Sequence, residues 1–148
     1  MGFLLRFIAW ATPAFLIAWS IHGSYERAIA AMGAGLAAPP GAQIELLDLE
    51  LFYPFDLGVY VALCLASSWA AIARRVRAAA IGLPVLVAIE VAVVFVSIKA
   101  LMAGGDSEAV SRFVDGIFRV EGLVAAAVVW LVLLGRDQLP QLRGHLGR

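Results

Sequence analysis

The sequence predicts an all-α membrane protein with four transmembrane helices, and its apolar composition is the first reason. Hydrophobic residues make up 63% of the 148 positions, and the mean hydropathy is +0.93. Soluble domains contain only about 45–50% apolar residues. We therefore expect residues 1–148 to form a single integral membrane domain, with no separate soluble domain.

Four apolar runs are the second reason. Each is close to the length of about 20 residues that a helix needs to cross about 30 Å of hydrocarbon. The predicted spans cover about Phe3–Ile21, Phe55–Ala73, Ala78–Ile98 and Ile117–Gly135. The polar residues 136–148 that follow the last span are expected to form a tail.

The distribution of charge predicts how these spans are oriented. The loops and ends on one side contain Arg6, Arg74, Arg75, Arg77, Arg136, Arg143 and Arg148, with Asp137 as the single acid. All remaining acids except Glu90 fall on the other side. Because cytoplasmic loops carry an excess of Lys and Arg, both termini and the tail are expected in the cytoplasm, with the chain in a bacterial inner membrane.

The charge pattern also restricts the partners. An acidic outer face opposite scattered arginines lacks the continuous basic surface of a nucleic-acid-binding protein, so no nucleic acid is expected. The chain is expected to be surrounded by a lipid bilayer. We interpret the cluster Arg74, Arg75 and Arg77 as the determinant of topology. The more specific alternative is a binding site for anionic lipid headgroups.

Residues 23–54 are predicted to form an extracytoplasmic segment between the first and second spans. Within it, the Ala-rich stretch Ala28–Ala38 indicates either a helical extension or an interfacial helix that ends at Pro39-Pro40. Leu47–Leu51 alternates between apolar and acidic residues, which favours a short β piece.

Two connections have predictable geometry. Only Arg74–Arg77 links the second and third predicted spans, so these helices are expected to be antiparallel neighbours with a cytoplasmic turn. Between the third and fourth spans, Asp106 or Ser107 is expected to cap a helix that begins near Glu108.

Glu90 lies near the middle of the third predicted span. A charge at mid-bilayer costs about 2.5–3.5 kcal/mol on insertion scales, so this carboxyl is expected to be protonated, paired or turned toward the bundle interior. Counting outward from the arginine turn places Tyr60, the predicted donor, and Cys64 within one turn of Glu90. Ser97 lies seven residues beyond Glu90 on the same face. This intramembrane polar site is either a proton or substrate site, or a set of hydrogen bonds that joins the helices.

Cysteine and histidine usage argues against metal and redox chemistry. Cys64 is the only cysteine, and the two histidines, His22 and His145, fall on opposite sides of the predicted membrane. We therefore expect no metal and no cofactor. An apolar environment disfavours the nucleophilic thiolate, so a structural role is expected for Cys64.

The chain opens with Phe3-Leu4-Leu5-Arg6-Phe7, followed by Trp10 and Pro13; it continues with the outer segment Tyr25–Tyr53, and its arginine hairpin leads into Leu83-Pro84. In these features it resembles the exosortase and archaeosortase membrane proteins and the small membrane proteins that accompany them. The resemblance covers most of the chain.

The resemblance implies a companion protein and not a peptidase. Exosortases use an outward cysteine at a helix start, an intramembrane arginine and a later histidine for transpeptidase-type cleavage of sorting signals. Here Cys64 lies deep in its predicted span, Glu90 occupies the span where the arginine is expected, and Val114-Asp115-Gly116 contains no histidine.

The function predicted first is therefore non-enzymatic. The chain is expected to be a small inner-membrane accessory or scaffold subunit that packs against a membrane-protein partner or a second copy, with Glu90 as a buried polar clasp. The alternative is a small proton-coupled transporter that acts as a homo-oligomer through Glu90. A transpeptidase that uses Cys64 is the third interpretation.

Overall fold

The computed structural model describes residues 2–39, 55–116 and 122–135, and it is all-helical there, without a β-strand. The five helices are α1 (Phe3–Ala37), α2 (Phe55–Ala66), α3 (Ile72–Met102), α4 (Ser107–Gly116) and α5 (Gly122–Leu133). This confirms the predicted all-α class. Among the described helices, α1 and α3 are long and apolar enough to cross a membrane, whereas α2 and α5 are apolar helices of 12 residues each.

Helix α1 is much longer than the predicted first span. It continues for 35 residues, or about 52 Å at about 1.5 Å per residue, through the start of the predicted outer segment. Nothing at Ser24–Arg27 breaks the helix, and Nε of Arg27 donates to the Gly23 carbonyl oxygen at 2.9 Å. Of the two alternatives for Ala28–Ala38, the structure has the helical extension, which ends before Pro39. Leu47–Leu51, the β candidate, lies outside the described residues.

The turn between α2 and α3 lies earlier than predicted. Helix α2 ends at Ala66 and α3 begins at Ile72, so Arg74–Arg77 belongs to the first turns of α3 and does not form the link. Ser67 Oγ donates to the carbonyl oxygen of Leu63 at 2.7 Å. Nη1 of Arg75 donates to the carbonyl oxygen of Leu65 at 3.1 Å. These bonds satisfy carbonyl groups that the last turn of α2 would otherwise leave unpaired.

The buried face of α3 repeats every fourth residue. Its buried positions are Ala78, Gly82, Leu86, Glu90, Val94 and Ile98. Because residues four apart differ by about 40° around an α-helix, this stripe turns through about 200° along α3. The helix therefore presents different faces to different neighbours at its two ends.

Two apolar clusters occupy the two halves of this stripe. Near the start of α3, Ala78 and Leu86 pack with a cluster from α2, α5 and the segment that follows each of them, which contains Tyr60, Cys64, Ala70, Ala126 and Leu134. Near its end, Val94 and Ile98 pack with Ile29 and Ala37 of α1. Glu90 lies between the two clusters.

The connection after α3 follows its prediction. Oδ1 of Asp106 accepts a hydrogen bond from the backbone N–H of Glu108 at 3.1 Å, so the predicted cap of the next helix is confirmed at Asp106. Gly104 has a φ of +84°, a conformation that favours glycine. Helix α4 ends at Gly116, and residues 117–121, which connect α4 to α5, lie outside the described residues.

Candidate functional site

Glu90 faces the interior of the bundle, where it accepts a hydrogen bond from α1. Only 5% of its surface is exposed. Its Oε2 accepts from the hydroxyl group of Tyr25. The bond joins α1 to α3 at the boundary between the two apolar clusters. An unpaired carboxyl buried here would lose its hydration without compensation, so Tyr25 supplies part of what water would otherwise provide.

A second carboxyl group completes the site. Asp56 lies in the first turn of α2, is 8% exposed, and lies beside the carboxyl group of Glu90, close enough for the two groups to interact. Its Oδ1 also accepts from the backbone N–H of Leu57 at 2.8 Å. Gly122, the first residue of α5, lies close by: a Cβ atom added there would stand 3.3 Å from Cβ of Asp56.

Tyr25, Asp56 and Glu90 are called the carboxyl cluster below. They come from three different helices, so their contacts connect α1, α2 and α3 within the bundle. Two carboxylate charges side by side repel each other strongly, whereas a proton on one of them allows a hydrogen bond between the two groups. The cluster can therefore hold the helices together, and it can also hold or release a proton.

Tyr60 does not take part in this cluster. Its hydroxyl group donates to the carbonyl oxygen of Ala78 at 2.6 Å, and its side chain is fully buried against Gly82. The prediction that Tyr60 donates to Glu90 is therefore wrong. Tyr60 joins α2 to the beginning of α3. The hydrogen bond to Glu90 that is predicted for Tyr60 comes from Tyr25.

Cys64 and Ser97 also lie apart from Glu90. The Cys64 thiol is buried next to Tyr60 and borders a groove between α2 and α3. Ser97 Oγ donates to the Val93 carbonyl oxygen of its own helix at 2.8 Å. The structure therefore divides the predicted polar site, and only Glu90 of its four members belongs to the carboxyl cluster.

The opposite end of the bundle gathers the arginines and aromatic rings. Arg6 of α1 donates to Ser68 Oγ, and Nε1 of Trp130 in α5 donates to Ser67 Oγ at 2.9 Å. The ring of Phe3 lies 5.3 Å from that of Trp69 and 6.0 Å from that of Trp130, between centroids. The start of α1, the α2–α3 turn and the last turns of α5 therefore meet at one end, which is called the arginine end below.

The sequence does not predict two members of the carboxyl cluster. It indicates Asp56 only as one of the acids on the predicted outer side, and Tyr25 only as part of the predicted outer segment. A usable signal existed for Tyr25. It begins the spacing Tyr25, Ile29, Gly33, Ala37, in which the last three are buried residues of α1, and this spacing matches the four-residue stripe of α3.

Comparison with known proteins adds no family. No protein-family model, no curated protein and no solved structure matches this chain. Within the described residues, no group of three or more His, Cys, Asp and Glu side chains is arranged to hold a metal ion. The geometry of the carboxyl cluster and of the arginine end is therefore the basis for the function proposed next.

Proposed function

We propose that the chain is a four-span protein of the bacterial inner membrane with both termini in the cytoplasm. Two long apolar helices support the membrane location. Helices α2 and α5 have 12 residues each, or about 18 Å at about 1.5 Å per residue, so the second and fourth crossings would also need residues outside these two helices. The positive-inside rule supports the orientation. The arginine end supports it too, because it brings the start of α1, the α2–α3 turn and the last turns of α5 to one side of the bundle.

Its role in this proposal is that of a non-enzymatic accessory or scaffold subunit. The carboxyl cluster is the main support for this proposal. It connects three helices at the boundary between the two apolar clusters, and its two acids are at most 8% exposed. A site so enclosed stabilises a shape better than it receives a substrate. The resemblance in sequence makes an exosortase-type protein-sorting system the proposed setting.

The role of Glu90 as a buried polar clasp is tested by comparing two variants, Glu90→Gln and Glu90→Ala. The amide of Gln can accept from Tyr25 and donate to Asp56, so Glu90→Gln should keep most of the stability. Glu90→Ala removes the carboxyl group that both Tyr25 and Asp56 contact, and it should lower the free energy of unfolding by about 1–3 kcal/mol. Unfolding of the purified chain in detergent, followed by helical circular dichroism, measures both. Equal loss in the two variants would contradict the clasp.

A small proton-coupled transporter, acting as a homo-oligomer, is the second candidate. The observation that favours it is the buried pair of neighbouring carboxyl groups, Asp56 and Glu90, which can share a proton. Proteoliposomes containing a pH-sensitive dye distinguish the candidates. Proton flux that is present in the wild type and absent in folded Glu90→Gln supports the transporter, whereas no flux in the wild type supports the scaffold.

Topology and partnership have tests of their own. Green fluorescent protein fused after Arg148 becomes fluorescent in the cytoplasm, so strong fluorescence is expected, and a dark but exported fusion contradicts the proposed orientation. For partnership, the tagged chain purified gently from native membranes should retain an exosortase-type protein. Purification of the chain alone, as one copy, would count against the accessory role.

A further inference from the structure

A groove lies where α2 meets the first turns of α3, near the arginine end. Its volume is about 340 Å³, and its walls include Val61, Cys64 and Leu65 from α2 and Ile72, Val76 and Ala79 from α3. Ile72 is 72% exposed and Val76 is 62% exposed, so the α3 wall opens to the surroundings of the protein. In a membrane those surroundings are lipid chains, which match an apolar wall.

Among the described residues that line this groove, Arg75 is the one with a charge. Its Nη1 donates to the Leu65 carbonyl oxygen at 3.1 Å, and this bond holds the guanidinium against the end of α2. Its Nε is buried and meets no hydrogen-bond acceptor in the described part of the chain. A guanidinium has five N–H donors, so Arg75 retains donor capacity for an anion.

The neighbouring residues strengthen the attraction for an anion. Arg74 and Arg77 lie in the same turns of α3, and both are exposed. Arginine binds phosphate oxygens through paired N–H donors. Basic pockets between membrane helices on the cytoplasmic side are suited to anionic lipid headgroups. An apolar wall beside an arginine therefore matches a molecule that has both a hydrocarbon chain and a phosphate.

We propose that this groove binds an anionic phospholipid, with an acyl chain along the apolar wall and the phosphate at Arg75. Charge complementarity selects the anionic class. A zwitterionic lipid also carries a cationic amine, which Arg74 and Arg77 repel. The proposal requires the chain to lie in a membrane, but it is independent of the role of the carboxyl cluster.

Native mass spectrometry of the full chain tests the proposal, with the detergent-purified protein given equal amounts of phosphatidylglycerol and phosphatidylcholine. The wild type should retain phosphatidylglycerol at least about fivefold more than phosphatidylcholine. Arg75→Gln removes the charge and should bring the two lipids to similar retention. Ala79→Phe fills the groove while keeping Arg75, and it should reduce the retention of both lipids.

Two variants serve as matched controls. Arg112→Gln removes an arginine whose ion pair with Glu108 is exposed on α4, and Ala127→Phe enlarges an exposed position of α5. Both should retain phosphatidylglycerol as the wild type does. Glu90→Gln should also retain it, so failure of the clasp and failure of the lipid site remain separate results.

Three outcomes would overturn the proposal: equal retention of both lipids by the wild type, wild-type retention in folded Ala79→Phe, or the same loss in Arg112→Gln as in Arg75→Gln. Arg75→Gln also deprives the Leu65 carbonyl of its donor. If that variant does not fold, the wild-type competition and Ala79→Phe still decide.

Discussion

The hydroxyl group of Tyr25 donates a hydrogen bond to Oε2 of Glu90, 65 positions further along the chain. This bond joins the middle of α1 to α3, and the contact between Glu90 and Asp56 extends the connection to α2.

Removing the hydroxyl group of Tyr25 should destabilise the bundle. Tyr25→Phe keeps the ring but leaves buried Glu90 without this donor, so the free energy of unfolding should fall by about 1–3 kcal/mol. Denaturation in detergent, followed by circular dichroism, measures the loss. Ser97→Ala is the control, because Ser97 bonds only within its own helix among the described contacts, and it should change stability by less than about 0.5 kcal/mol. A smaller loss in Tyr25→Phe than in the control contradicts the prediction.

The two carboxyl groups should be energetically coupled. After Glu90→Ala, Asp56 has already lost its partner, so adding Asp56→Ala should cost less than it does in the wild type. The double-mutant cycle should give a coupling of about 0.5–3 kcal/mol. Glu90→Ala combined with Ser67→Ala is the control pair, since Ser67 lies at the arginine end, and these losses should add within about 0.5 kcal/mol. Additive losses for Asp56 and Glu90 would mean that their interaction contributes little.

Gly82 should not tolerate a side chain. A Cβ atom at this position would overlap the phenol ring of Tyr60, so Gly82→Ala should lower stability by about 1–3 kcal/mol. Gly35→Ala is the matched control. It meets open space on the exposed side of α1, and it should raise stability by up to about 1 kcal/mol because alanine favours the helix. Thermal unfolding of the two variants should therefore shift in opposite directions, and a shift in the same direction refutes this packing.

Ser67 should be important at the arginine end. Its hydroxyl group accepts from Trp130 and donates to Leu63, and its surface is fully buried. Ser67→Ala leaves the indole N–H without this acceptor, so a loss of about 1–3 kcal/mol is expected. Ser20→Ala removes an exposed hydroxyl that bonds to Ile17, and it should have little effect. Similar unfolding midpoints for the two variants would contradict the prediction.

The sequence predicts the helical class, the apolar helices and the Asp106 cap because each depends on nearby residues. Apolar composition and length predict α1 and α3, and the preference of Asp for the position before a helix predicts the cap. Helix ends are harder to predict. Arginine is a good helix former, so Arg74–Arg77 continues α3 instead of forming the turn that its charge suggests.

The position of this turn explains why the sequence predicts Tyr60, and not Tyr25, as the donor to Glu90. In an antiparallel hairpin, moving the turn by about six residues moves the opposite partner by about twelve residues, or about 18 Å along the helix. With the turn at residues 67–71, Tyr60 lies opposite Ala78 and not opposite Glu90. Tyr25 could not be found by this counting, because its contact with Glu90 depends on how α1 and α3 pack side by side.

Fifteen residues separate Arg75 from Glu90, a rise of about 22 Å along α3. In the proposed orientation, with Arg75 at the inner edge of a hydrocarbon layer of about 30 Å, Glu90 would lie in the outer leaflet, above the midplane. The acid pair would then be closer to external water than to the cytosol. Acidification of the surrounding medium should therefore reach it before any change of pH inside the cell.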